Sequence, residues 1–416
     1  MPIEKAFHRI KESVISFFSQ IGKGSETIFL ILFSLYTFTF LFRRIGWELQ
    51  VLDTVTNIRY GLLSLVVWGS AIYFFYLLSE WKQLWKNTVM LIITGLAVLL
   101  VAAVFSQKMT IESFAAIPGF FFCFLIYKKD YIKVLKVILC ILVFVLVFAW
   151  VGTFIGITVD VSKTGREYGG RSFGIIYPNT WGAIVLSALM LLWYLYIHYK
   201  PIYSVLLFWS MAVFMWVIVD CRTSAILCAA FPMLSIPAEF MERKSNGKEK
   251  AIGQLLWATM PFIVFGITLI LCWKMEWVKD TFYGTKLKTM AMRFVESGYS
   301  LRRNGFSLFG HPFADFDPDV VDSSIKITQI MDSAYISDLI LRGTLWMTAC
   351  LSWLSFAHWR CLKNRDFRLL IISFIFLILA TMERPALDAW FNYVCLYPLA
   401  AEIKTSKSGT SSTVFS

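Results

Sequence analysis

The sequence predicts an all-α polytopic membrane protein with about twelve transmembrane helices and a long extracytoplasmic loop carrying short helices. Three observations predict it. The 416 residues are 58% hydrophobic and only 16% charged, with 38 Phe, 16 Trp and 17 Tyr. The apolar residues fall in repeated continuous runs rather than the period-two alternation of a membrane barrel. Short loops rich in Lys and Arg recur on one side when the runs are threaded alternately through a bilayer.

The runs, in order, are Thr27–Phe42, Tyr60–Leu78, Thr88–Phe105, Phe114–Tyr127, Val134–Ile157 and Thr180–Tyr199. Then come Ile202–Val219, Thr223–Phe240, Ile252–Trp273, Tyr335–Trp359, Leu369–Met382 and Leu387–Ala400. Most are long enough, or nearly so, to cross a hydrocarbon core that needs about 20 residues of helix, while the fourth and the last two are short. Lys128, Lys129, Lys133 and Lys136, then Arg243, Lys244, Lys248 and Lys250, then Arg360, Lys363, Arg365 and Arg368 all fall on one side. That side is read as cytoplasmic, with both termini inside.

The chain divides accordingly. Residues 1–26 read as a cytoplasmic amphipathic segment without a cleavage signature, not a signal peptide. Residues 27–273 form a bundle of about nine helices with an outer loop at 158–179, and 335–400 add about three more. Between them, 274–334 is a large outer loop, too long for a mere connector. Residues 401–416, rich in Ser and Thr, read as a disordered cytoplasmic tail.

The net charge of +12 has two sources. Part is the cytoplasmic bias. The other part, Lys163, Arg166, Arg171, Arg222, Arg293, Arg302 and Arg303, lies on the outer side and opposes that bias. An arginine at a membrane edge costs a few kcal/mol unless it faces a wet cavity or an anion, so about this much favourable interaction has to be found for each. The eight cysteines form no CxxC and lie mostly within or beside apolar runs, and four scattered histidines suggest no metal cluster. Asp315, Asp317, Asp319 and Asp322 lack the mid-loop Gly and terminal Glu of a calcium loop and read as a solvated or sugar-contacting surface. Neither a metal nor another cofactor is expected, and nothing suggests nucleic acid as a partner.

Three outer constellations carry the candidate chemistry. The first runs from Arg171 through Gly174, Tyr177, Pro178, Asn179 and Thr180 to Gly182. It fits a helix start capped by Asn179 or Thr180, and equally a helix N-terminus that holds a phosphate together with Arg171. The second is Asp220-Cys221-Arg222-Thr223-Ser224, a short apex between two runs. Arg222 suits bidentate phosphate binding; the alternative is a self-satisfied Asp220–Arg222 pair. The third joins Met292-Arg293-Phe294, the turn Gly305 to Gly310 with His311, and Asp332-Ser333-Ala334-Tyr335. Asp332 suits a general base or a helix cap, and a lone loop His such as His311 is read as a weaker base candidate. Arg342 is either a second phosphate ligand or a partner for Asp338.

These constellations, in this order and topology, resemble the O-antigen polymerase/O-antigen ligase superfamily, and within it the Wzy-type repeat-unit polymerases of capsular and exopolysaccharide systems. The resemblance rests on an R-x-x-G-x-x-x-P-N-x-x-G run (Arg171 to Gly182), a short D-x-R-T apex (Asp220 to Ser224), an Arg293 to Gly310 element and a D-S-x-Y helix start (Asp332 to Tyr335). It covers Arg171 to about Gly343 and implies a GT-C-like, metal-independent, inverting glycosyltransferase of a bacterial plasma membrane. Such an enzyme moves a glycan from undecaprenyl pyrophosphate to a lipid-linked repeat unit on the outer leaflet. The resemblance implies that Arg222 and Arg293, with Arg171, hold the pyrophosphate. Tyr177, Asn179, Asp220, His311, Tyr335 and Arg342 are the further substrate-binding candidates. Asp332 stands where ligases of the superfamily carry a catalytic His, which favours polymerase over ligase. A flippase and a chain-length regulator are the protein partners implied. A ligase of finished glycan and a polytopic flippase or transporter remain the alternatives.

Overall fold

The computed structural model describes residues 25–80, 119, 121–127, 129–160, 171–244, 251–282, 288–310 and 333–400. Outside them lie the N-terminal segment to residue 24, the run Thr88–Phe105, Lys163, Arg166, the acidic run Asp315 to Asp322, the tail from 401, and two site candidates, His311 and Asp332.

The described residues are helical, in the order α1 (Ser25–Phe42), α2 (Leu49–Glu80), α3 (Tyr131–Phe154), α4 (Pro178–Leu192), α5 (Pro201–Phe214), α6 (Arg222–Lys244), α7 (Ala251–Trp273), α8 (Met275–Phe282), α9 (Lys288–Asn304), α10 (Ala334–Lys363) and α11 (Phe367–Ala380). Wide π turns extend α4 over Trp193–Ile197 and α5 over Met215–Val219. Among them, six helices are long and apolar enough to cross a membrane: Ser25–Phe42, Tyr131–Phe154, Pro178–Ile197, Pro201–Val219, Gly253–Trp273 and Ala334–Lys363. Two shorter apolar helices, Arg222–Pro237 and Phe367–Ala380, accompany them. Their outward faces are apolar: Ile202, Leu206, Val213 and Val217 on α5 and Leu255, Ile267 and Ile270 on α7 are all exposed. Faces of that kind suit a hydrocarbon surround rather than water.

Local chemistry sets the boundaries. Asp130 caps α3, its carboxylate accepting the N–H groups of Ile132 and Lys133. Pro178 and Pro201 sit in the first turns of α4 and α5, where their missing N–H costs nothing. Asp366 caps α11 through Leu369 N at 3.0 Å and accepts the Tyr194 hydroxyl at 2.6 Å. Most of the core is one large cluster in which Phe29, Phe33, Tyr36 and Phe122 pack as an aromatic group, and Met275, Val278, Ala291 and Val295 form a smaller one between α8 and α9. Helices α7 with α10, α5 with α6, and α11 with α6 form the main packed pairs.

The structure departs from the expected spans in three places. The segment expected as a helix over Leu387–Ala400 instead makes two 3-10 turns, Arg384–Leu387 and Tyr393–Leu399, both buried. Pro385 and Pro398 deny this strap a continuous backbone ladder, and the backbone of Asp388 accepts the N–H groups of Phe391 and Asn392 in a local turn. Irregular backbone of this kind is tolerated at membrane depth when protein surrounds it. The expected span Tyr335–Trp359 lies in α10, but Gly343, at φ 88 and ψ 172, breaks that helix into two. Finally, α2 begins at Leu49, eleven residues ahead of the expected Tyr60, so the connection after α1 shrinks to a turn.

Candidate anion site at one end of the bundle

The π turn after α5 builds the apex. It widens the last turn of the helix and delivers Asp220 in the left-handed conformation, φ 54. The Cys221 N–H then returns to Met215 O at 2.9 Å, and α6 starts at Arg222. Arg222 Nε lies 3.2 Å from Asp220 Oδ1, and its guanidinium sits 5.9 Å from the Trp216 ring centre. The Arg222 side chain remains about one-third exposed while Asp220 is nearly covered. The self-paired arrangement is therefore present, with the cation on the open side.

The Arg171 loop docks on this apex. The Arg171 N–H donates to Ile218 O at 3.2 Å, and its side chain is exposed. A carboxylate that the sequence did not single out, Asp160, gathers the loop, accepting Ser172 N, Ser172 Oγ and Phe173 N on one oxygen. Gly174, at φ +80, lies so close to Ala149 O that a Cβ would come within 2.2 Å of it. Gly182 plays the same part on α4, where a Cβ would meet Cys221 Sγ at 2.2 Å. The helix start differs from expectation: neither Asn179 nor Thr180 caps α4. Tyr177 takes the cap position, extended and exposed, and no side chain bonds the first turn. Pro178 has displaced the cap by occupying the first helical position. Asn179 instead offers its carbonyl to the Cys221 thiol at 3.7 Å.

Arg293 reaches the same neighbourhood from α9. It is buried, and its Nη1 donates to Glu383 Oε1 at 2.8 Å and to the Met382 carbonyl. Both charges of this pair are under one-tenth exposed. The Cys221 thiol registers them: burial chiefly pushes it up to about 11, the Ser224 hydroxyl opposes, Glu383 raises it and Arg293 lowers it. The apex and the Arg293–Glu383 pair thus lie within electrostatic reach of one another. Glu383 escaped sequence reasoning, because its partner is 90 positions away.

Other candidates are placed elsewhere. Arg342 ion-pairs with Asp338 at 2.9 Å, with Asp388 Oδ1 at 3.9 Å, and lies 5.3 Å from the Trp346 ring centre. This cluster lines a cavity of about 40 Å³ that Tyr36 and Trp353 complete. Of the two roles expected for Arg342, the pairing with Asp338 is the one present. Tyr335 is fully buried, its hydroxyl donating to Leu377 O at 3.0 Å, so it packs α10 against α11 and presents no face to a ligand. Ser333 occupies the cap position of α10, but its hydroxyl turns to Ala380 O at 3.4 Å. The Gly305 to Gly310 turn hooks onto the break in α10: Thr344 N donates to Ser307 O at 2.9 Å and Leu345 N to Leu308 O at 3.2 Å. Among the described residues no group of three or more His, Cys, Asp or Glu side chains is arranged to hold a metal ion.

No protein family, no curated protein and no solved structure matches this chain.

Proposed function

We propose that this chain is a polysaccharide polymerase of a bacterial plasma membrane, transferring a growing glycan from undecaprenyl pyrophosphate to a lipid-linked repeat unit at the outer face. One observation carries the reading: the Arg171 loop is hydrogen-bonded to the apex that bears Arg222, and the buried Arg293 lies within electrostatic reach of Cys221 in that apex. Glycosyl transfer from a pyrophosphate leaves charge on the departing group, and preset cations are a strong way to stabilise it. In this proposal the acceptor oxygen attacks the anomeric carbon from the face opposite the leaving group. The C–O bond to the diphosphate breaks, and its electron pair leaves with the phosphate held by Arg222 and Arg293. Each arginine now holds a carboxylate, Asp220 and Glu383, which a diphosphate of higher charge displaces. Asp332 keeps the role of acceptor base that the resemblance implies. A flippase and a chain-length regulator remain the proposed protein partners.

A second reading, transport of the lipid-linked glycan, is favoured by one observation, the partly buried Asp338–Arg342–Asp388 cluster that lines a small cavity. Intramembrane ionisable groups mark substrate and proton routes. Deleting the gene separates the readings. Polymerase function predicts single repeat units accumulating on the outer leaflet. Accumulation on the inner leaflet means transport, and full-length lipid-linked polymer left unattached means a ligase.

A further inference from the structure

A second cavity borders the candidate site and shares only Ile176 with the constellations above. It has a volume of about 360 Å³ and is lined by Arg43, Ile45, Gly46, Trp47, Leu52, Val55, Thr56, Arg59, Val159 and Ile176. That volume falls within the range of small-molecule sites, about 300–1,000 Å³. Its walls combine two chemistries. Arg43 and Arg59 supply two guanidiniums, that of Arg59 lying 5.1 Å from the Tyr60 ring centre. Ile45, Leu52, Val55, Val159 and Ile176 supply a continuous apolar surface.

The site is built rather than incidental. The turn between α1 and α2 is stitched to the Arg171 loop by Gly46 N to Gly174 O at 2.8 Å and Ile176 N to Arg44 O at 2.8 Å. Val159 N to Gly46 O at 2.7 Å ties in the end of α3. A Cβ at Gly46 would come within 3.2 Å of Val159 O, so these segments of the floor are closely packed. Its position also matters. Arg43 directly follows the membrane-length helix Ser25–Phe42, and Ile176 directly precedes the Tyr177–Pro178 start of α4. A cationic rim with an apolar wall at a helix end is where a lipid phosphate and the first part of its chain lie.

We propose that this groove binds the phosphate head of an anionic membrane lipid, with the phosphate between Arg43 and Arg59 and the chain along Leu52, Val55 and Ile176. The assignment rests on the groove's own chemistry and stands apart from the polymerase reading. Under that reading it gives the second lipid-linked substrate its own anionic footprint, next to the first.

The test uses the purified full chain in bilayer discs of zwitterionic lipid and a prenyl monophosphate with a photoreactive diazirine tail. Labelled peptides are mapped by mass spectrometry. Labelling is expected around Leu52, Val55 and Ile176, competed by unlabelled prenyl phosphate and not by the same concentration of inorganic phosphate. The Arg43→Gln/Arg59→Gln double variant is expected to lose label about tenfold, the effect of one charge-assisted bond. Leu52→Asp, at an exposed wall position, keeps both arginines but sets a carboxylate against the phosphate, and is expected to lose it as well. This second variant carries the test if the first fails to fold. Labelling here unchanged in both variants overturns the proposal. So does equal labelling by an uncharged prenol probe, or full competition by inorganic phosphate, which would make the groove a site for a free anion.

Discussion

The Arg293–Glu383 pair allows the sharpest perturbation. Its side chains are 8% and 9% exposed, with 2.8 Å between Nη1 and Oε1. A buried pair is costly to break from one side, because the surviving charge stays desolvated; the usual penalty is about 3–5 kcal/mol. Glu383→Leu removes the carboxylate that faces Arg293 Nη1 and leaves that guanidinium's charge buried. Arg293→Met removes the cation that faces Glu383. Each single change is therefore expected to destabilise by about 3 kcal/mol or more. The double change removes both charges and is expected to cost about 2 kcal/mol or less, a coupling of several kcal/mol. Reversible unfolding of the purified protein in mixed micelles, followed by tryptophan fluorescence, measures all three. The double variant then serves the functional proposal: it is expected to fold and, if Arg293 holds phosphate as proposed, to make no long glycan. Single variants each costing under about 1 kcal/mol would place the pair in the solvent-screened class and refute the description.

Four further predictions follow from individual sites. Gly343→Ala forces a side chain onto φ 88, with its Cβ 2.4 Å from Gly310 N and Leu308 O, and should cost about 3 kcal/mol or more of stability. Gly61→Ala meets nothing within 4 Å in the helix and should instead gain about 0.5–1 kcal/mol in the same unfolding assay. Cys221, its thiol pushed up to about 11, should resist maleimide at neutral pH and react only as the pH climbs toward that value. Glu383→Gln removes a raising influence and should move the onset of labelling to lower pH, whereas Arg293→Met should move it higher. Asp366→Ala removes both the cap of α11 and the Tyr194 partner, and thermal unfolding should register about 1–3 kcal/mol lost.

The sequence made some layers legible and hid others for physical reasons. Uniform apolar runs between polar ends locate helices well, so the expected spans beginning at Val134, Thr180, Ile202 and Ile252 sit within a few residues of α3, α4, α5 and α7. Apolarity alone does not separate a membrane helix from a buried irregular strap, and Leu387–Ala400 was read as the former. Pro385 and Pro398 were the available signal. The glycine at 343 gave no local sign that it breaks a helix, because the reason is its contact with Gly310, over thirty positions away in sequence. Arg171, Arg222 and Arg293 stood out because cations on an outer face defy the topology rule. Two carboxylates near them did not, since Asp160, which gathers the Arg171 loop, and Glu383, the partner of Arg293, acquire meaning only when the chain closes on itself. Arg43 and Arg59 lay at the edges of expected spans, where a basic residue passes as an ordinary boundary, until the fold placed them in one groove.

The central claim is that Arg222, on the open side of the apex, stabilises a departing diphosphate. The most direct measurement is the glycan chain-length profile of cells whose gene is replaced by Arg222→Ala, alongside membrane levels of the protein. The account predicts undiminished protein in the membrane, single lipid-linked repeats outside, and no ladder of longer chains. A normal ladder from that variant would contradict it.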